Sequence, residues 1–197
     1  MNRTSVINQL ALQINAKTYL EIGVDNGINF RNVKCPNKTS VDPAEGRYKS
    51  AKPTHKMTSD LYFESFKDDR YDLIFIDGLH HSEQVLKDIN NSLKILNEGG
   101  YIICHDMNPM TEEEQIVPRE SKTWLGDCWK AWITLRATRP DLHMQVVDID
   151  HGCGVISYGK QEILDIDITN LSYEDLRVNR ESWLNLISVE TFKAQKK

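Results

Sequence analysis

The sequence predicts an α/β fold: a doubly wound sheet, mostly parallel, with an antiparallel hairpin near its C-terminal end. Three observations carry this. Short β-prone runs that end on a glycine or a carboxylate recur at residues 18–23, 38–42, 71–77 and 101–104. Helically spaced apolar residues fill the gaps between them, which implies parallel strands covered on both faces. The last two runs, 144–149 and 154–158, are joined too tightly for a crossover, so they must pair antiparallel.

The elements follow in order. Residues 4–15 form a first helix carrying Val6, Ile7, Leu10, Leu12 and Ile14, partly on one face. Thr18-Tyr19-Leu20-Glu21-Ile22-Gly23 is a buried strand feeding a tight turn, after which Asn26 caps a short helix to about Val33. Residues 38–42 make the second strand, stopped by Pro43, and residues 54–58 a weaker third. Tyr71-Asp72-Leu73-Ile74-Phe75-Ile76-Asp77 is the clearest strand; Val85, Leu86, Ile89, Leu93 and Leu96 then mark an amphipathic helix over 82–96. Tyr101-Ile102-Ile103-Cys104 runs into His105-Asp106. Residues 107–125 read as an irregular, mobile lid. Asp127 caps a helix whose Trp129 and Trp132 pack on the sheet, ended by Pro140, and residues 171–188 suggest two short helices.

A chain of 197 residues suits one domain, 1–197, with its core at about 15–160, the N-terminal helix, and a C-terminal helical segment over 161–197. Net charge is -5, which argues against nucleic acid or an anionic membrane surface. The Lys193, Lys196, Lys197 tail reads as a solvated terminus. Cys35, Cys104, Cys128 and Cys153 have no metal-knuckle or redox spacing, and no signal-like or membrane-length apolar run is present. The expected setting is cytoplasmic, with four free thiols. Trp183, Leu184, Leu186 and Ile187 could pack on the domain or on a second copy.

In a doubly wound sheet ligands bind outside the carboxyl ends of the strands. Those ends carry Glu21-Ile22-Gly23-Val24-Asp25-Asn26-Gly27, Asp42, Asp77 and His105-Asp106. The first turn is glycine-rich but is not GxGxxG, and Glu21 and Asp25 flank it. Carboxylates repel a pyrophosphate, which needs backbone N–H groups at a helix start. They suit a ligand bearing cations instead. Asp42 is placed to accept ribose hydroxyls, and Ser59-Asp60 to meet an adenine amine.

EIGVDNG, Val41-Asp42, TSDLYF, YDLIFIDGLHH and GGYIICHD, in this order, resemble the class I S-adenosylmethionine-dependent methyltransferases. More narrowly they resemble the branch that holds macrolide-sugar and glycan-cluster O-methyltransferases. The resemblance covers roughly residues 15–160. It implies the Rossmann-like sheet of that class and a cofactor site at Glu21, Gly23, Asp25, Gly27, Asp42, Ser59, Asp60 and Asp77. It implies His80 as the base that takes a proton from an acceptor hydroxyl, with Asp77 beside it. It also implies a divalent cation, magnesium or another, at Asp77 and Asp106. This chain departs at His105, where those enzymes carry a second acidic ligand. His81, His105 and Trp124 are the expected acceptor contacts, the acceptor being a sugar, a glycan or another small molecule. Two competing readings stand beside this one: a nicotinamide-dependent oxidoreductase, and a cofactor-binding module without chemistry.

Overall fold

The computed structural model describes residues 1–45 and 52–195; of the terminal lysines, Lys196 and Lys197 lie outside that range. The elements are α1 (Arg3–Ile14), β1 (Thr18–Ile22), α2 (Ile28–Asn32), β2 (Asn37–Val41), α3 (Ser59–Ser65), β3 (Tyr71–Ile76), α4 (Ser82–Ile95), β4 (Leu96–Cys104), α5 (Glu112–Gln115), α6 (Cys128–Thr138), β5 (Leu142–Val147), β6 (Cys153–Tyr158), α7 (Tyr173–Leu184), β7 (Leu186–Ile187) and α8 (Val189–Ala194). The sheet runs β2-β1-β3-β4-β6-β5-β7. β2, β1, β3 and β4 are parallel, and β6 is antiparallel to both β4 and β5. The expected architecture is therefore present.

Strand alternation splits the core into two layers. Leu20, Ile22, Ile74, Ile76, Ile102 and Cys104 face α4 and α6, where Trp129 and Trp132 are fully buried. Tyr19, Leu73, Phe75 and Ile103 face α1 and α8. Because β1 lies between β2 and β3, the chain leaves it toward one edge and returns on the other side. That reversal opens a crevice at the carboxyl tips.

Three expectations change. The weak strand at 54–58 is a single bridge, His55 to Val41; the polar run Thr54-His55-Lys56 offers the sheet edge almost nothing apolar to bury. The C-terminal helix pair is instead one long helix, a two-residue strand and a short helix. Asn185, at φ 48, turns the chain so that Leu186 and Ile187 pair parallel with β5, while Leu184 is buried in the same core. Asp127 does not cap its own helix; its carboxylate accepts from the Ser82 amide at 2.7 Å and the Ser82 hydroxyl at 3.0 Å, capping α4 from a distance. All four cysteines are free and buried, and among the described residues no helix is long and apolar enough to cross a membrane.

Candidate active site

The strand tips are laced together beyond the regular ladders. The Gly23 amide donates to Val41 O at 2.9 Å, Asp77 to Ile22 O at 2.8 Å, and His105 to Ile76 O at 3.0 Å. Gly23 has φ +86, and a Cβ there would lie 2.0 Å from Asp77 O. Only glycine lets the first turn approach β3 so closely. The result is a cleft of about 690 Å³ over the switch point.

One half of the cleft is lined by Gly23, Asp25, Asp42, Ser59 and Asp60. Asp42 Oδ2 accepts from the Val24 amide at 2.8 Å and lies 3.4 Å from the Asp25 amide, and Oδ1 accepts from Ala44 N at 2.6 Å. The carboxylate thus fixes the glycine turn as well as facing the cleft. Thr58, not Asp60, caps α3, so Asp60 is free of that duty; Gln84 donates to its Oδ1 at 3.0 Å.

Two expected cofactor residues stand apart. Gly27 caps α2 and does not line the cleft. Glu21 lies on the other face of β1, 1% exposed, and its carboxyl accepts from the Tyr19 hydroxyl and from Asn29 Nδ2 at 2.8 Å. Burial pushes Glu21 up to about 7, against the pull of the Tyr19 and Asn29 hydrogen bonds. Strand alternation is the physical reason: Glu21 shares the face of Tyr19, under α1 and α2, while Ile22 turns to the opposite layer.

The other half gathers Asp77, His80, His105 and Asp106, with Arg3 and His151. The His80 ring sits between two carboxylates, Nε2 at 3.3 Å from Asp77 Oδ1 and Nδ1 at 3.2 Å from Asp106 Oδ2. His105 Nδ1 lies 2.8 Å from Asp106 Oδ1 and 3.5 Å from Asp77 Oδ1. None of these approaches is aligned as a hydrogen bond, and His80 Nδ1 and both His105 nitrogens are buried without one. Burial alone would lower both imidazoles, but Asp77 and Asp106 raise them. Asp77 is held well below the carboxylate range: burial pushes it up, and the His105 and His80 charges more than offset that.

His80 is locked in place. Trp124 stacks on its ring with centroids 5.2 Å apart and planes 14° from parallel. Gly126 presses on its backbone; a Cβ there would lie 1.8 Å from His80 O. Residues 107–125 are braced by bonds of their own, Trp124 Nε1 donating to Ile116 O at 2.6 Å and Leu125 N to Glu114 O at 2.8 Å. Trp124, Arg119 and Lys122 line the cleft; His81 does not, and only edges Trp124 at 6.3 Å. His105 lines it while 4% exposed.

Sequence reasoning named none of Arg3, Asp150 and His151 as site residues. Arg3 reaches in from the first turn of α1, Nη1 donating to Asp77 Oδ2 at 2.8 Å and Nε to Asp150 Oδ2 at 2.9 Å. No local pattern marks Arg3, because its partners are 74 and 147 residues away. The Asp-His-Gly turn between the last two strands was the one available signal for Asp150 and His151.

Residues 20–107 match the family model described as a methyltransferase domain. An uncharacterised protein of Acanthamoeba polyphaga mimivirus is 37% identical over 51 residues, a stretch that spans 26% of this chain and 23% of that one. Among solved structures, an O-methyltransferase from Bacillus cereus in complex with S-adenosylhomocysteine is similar at TM-score 0.53 and 19% identity, covering 79% of this chain and 80% of its own. An O-methyltransferase from Streptomyces achromogenes involved in tomaymycin synthesis, in complex with S-adenosylmethionine, gives 0.55 and 14%, covering 79% of each. An S-adenosylhomocysteine-bound methyltransferase from Podospora anserina gives 0.56 and 14%, covering 80% and 78%.

Proposed function

We propose that this methyltransferase-domain protein uses S-adenosylmethionine to methylate a hydroxyl of a sugar, glycan or other small molecule, with His80 as the base. The observation that carries the reading is the division of one cleft. Acidic and glycine groups form the half beside the first turn, and an imidazole held between two carboxylates forms the other.

When bound, S-adenosylmethionine supplies a methyl group already activated by a sulfonium charge. Asp25, Asp42 and Asp60 match the hydrogen-bond donors and cations of such a ligand. The acceptor lies on the Leu79, Thr123 and Trp124 side, where an apolar surface and a ring edge orient it. His80 Nδ1 is buried against Asp106, which leaves Nε2 as the atom that takes the hydroxyl proton. Asp77 and Asp106 stabilise the imidazolium that results. One face of Trp124 is already occupied by His80, so its main task is to fix the base.

A divalent cation was the finer part of the expectation. Asp77, His80 and Asp106 each offer a donor atom within 4.8 Å of the others. Magnesium, however, asks for about six oxygen ligands. Here Asp77 Oδ2 takes Arg3 and Asp106 Oδ1 takes His105, each at 2.8 Å. The two remaining oxygens flank His80. These residues do not fit magnesium.

Calorimetric titration with S-adenosylmethionine, S-adenosylhomocysteine and NADH tests the cofactor, and S-adenosylhomocysteine release over a panel of glycosides tests the chemistry. Binding of both methyl-donor ligands and methylation that depends on His80 are expected. Exclusive NADH binding, or turnover unchanged in His80→Gln, would sink the proposal.

A further inference from the structure

Arg3 is the first residue of α1, and the Asn2–Ser5 capping box fixes the turn it stands on. Its backbone amide and Nε both donate to Asp150 Oδ2 at 2.9 Å, and Nη2 donates to Asp150 Oδ1 at 3.2 Å. That fork leaves Nη1 aimed at Asp77 Oδ2, 2.8 Å away. The Asp150 carboxylate is itself presented rigidly. Asp150, His151 and Gly152 all have positive φ, and the turn is bolted to the exit of β4 by Met107 N to Gly152 O at 3.1 Å and Asn108 N to His151 O at 2.9 Å.

Asp77 and Asp106 therefore line one end of the cleft, and Asp150 stands behind them, held by Arg3 and 3.8 Å from His105 Nε2. A guanidinium stays charged at all working pH values and spans two carboxylates in a fixed fork. The N-terminus of α1 points the same way and adds its partial positive charge.

We infer that Arg3 is a built-in cation that takes the place of a divalent metal at Asp77 and keeps one out, so that the site works without metal. Activity without metal rests on the methyltransferase reading; the exclusion of metal does not. Arg3 is thus a positioning residue, acting through Asp77 and Asp150.

The test is a manganese titration of the full chain, followed by electron paramagnetic resonance and calorimetry. It compares the protein as it stands with Arg3→Gln, Arg3→Lys and the double variant Arg3→Gln/Asp77→Asn. Thermal melting is measured on each sample as the control for folding, and S-adenosylhomocysteine binding is measured on the unsubstituted chain. The unsubstituted chain is expected to show no saturable manganese site at millimolar concentration. Arg3→Gln should gain one, at least about tenfold tighter, Arg3→Lys should gain less, and the double variant should lose the gain. Tight manganese binding by the unsubstituted chain overturns the inference, and does so even if Arg3→Gln fails to fold. A folded Arg3→Gln that gains no affinity overturns it too. Failure of S-adenosylhomocysteine to bind the unsubstituted chain is a separate result and counts against the methyltransferase reading.

Discussion

Replacing Glu21 by glutamine should make the protein more stable, and only at higher pH. Glu21 is 1% exposed and its carboxyl accepts from the Tyr19 hydroxyl and Asn29 Nδ2. Burial raises it from 4.5 to about 7. The folded state therefore prefers the protonated carboxyl. The stability this group contributes is whole below its unfolded value of 4.5 and is lost as pH rises through about 7. A shift of that size corresponds to about 3 kcal/mol at 1.36 kcal/mol per pH unit. Glutamine is fixed in the neutral form and can still accept both hydrogen bonds, so it escapes the loss. Urea denaturation of the two proteins should give nearly equal stability at pH 4, and about 3 kcal/mol in favour of Glu21→Gln at pH 9. For a chain of this length that corresponds to roughly 6–12 °C in Tm. S-adenosylhomocysteine affinity should stay within about threefold, because Glu21 faces away from the cleft. A stability difference that is flat with pH, or a variant weaker at pH 9, would refute the buried-acid argument.

Other expectations follow from the same geometry. His80→Gln should lower kcat by about 10²–10⁴ while leaving cofactor affinity intact. Since Asp77 and Asp106 raise His80 against the lowering effect of burial, and a base must be neutral to act, kcat should climb with pH through a value above the ordinary histidine one, a dependence His80→Gln removes. Gly23→Ala drives a Cβ to 2.0 Å from Asp77 O at a φ of +86; strain and overpacking together cost about 2–5 kcal/mol, and calorimetry should find cofactor binding weakened with the melt. Asp127→Ala removes the distant cap of α4 and should cost about 1 kcal/mol in a denaturant titration, whereas a cap on its own helix would have predicted no effect on Ser82.

The parallel core was legible because its signals are local. Tyr71 to Asp77 is nearly all apolar and ends on a carboxylate, which is how a strand buried on both faces must look. The strand-end rule pointed to Asp42, Asp77 and His105-Asp106 without any knowledge of packing, and all four line one cleft. It failed at Glu21 because the rule names a position along a strand, and the side chain's face is set by parity. Thr54-His55-Lys56 carried a weak β pattern, yet an edge position with little to bury reduced it to one bridge. Arg3 and Asp150 were not legible for a different reason. They belong to the site through contacts across the whole chain, and the only trace in the sequence is a charged residue at a helix start, which helices show everywhere. Asp127 is the same case in miniature: a capping residue type was read correctly and assigned to the nearest helix, while its carboxylate caps one that begins 45 residues earlier.

The first turn also bears on the proposed cofactor on physical grounds. A pyrophosphate is held by free backbone N–H groups at the start of a helix. In this turn three such donors are occupied: Val24 N on Asp42 Oδ2, Gly27 N on Val24 O and Ile28 N on Asn26 Oδ1, at 2.8, 2.8 and 2.9 Å. The helix that follows has five residues, too short to contribute much dipole. What the turn presents to the cleft instead is carboxylate, from Asp25 and Asp42. A dinucleotide would have to displace Asp42 from the donors that shape the turn and then sit beside two negative charges. A ligand with no phosphate, an amino group and a sulfonium meets no such conflict. Glu21 is not needed for that conflict, because Asp25 and Asp42 already place two carboxylates in the cleft.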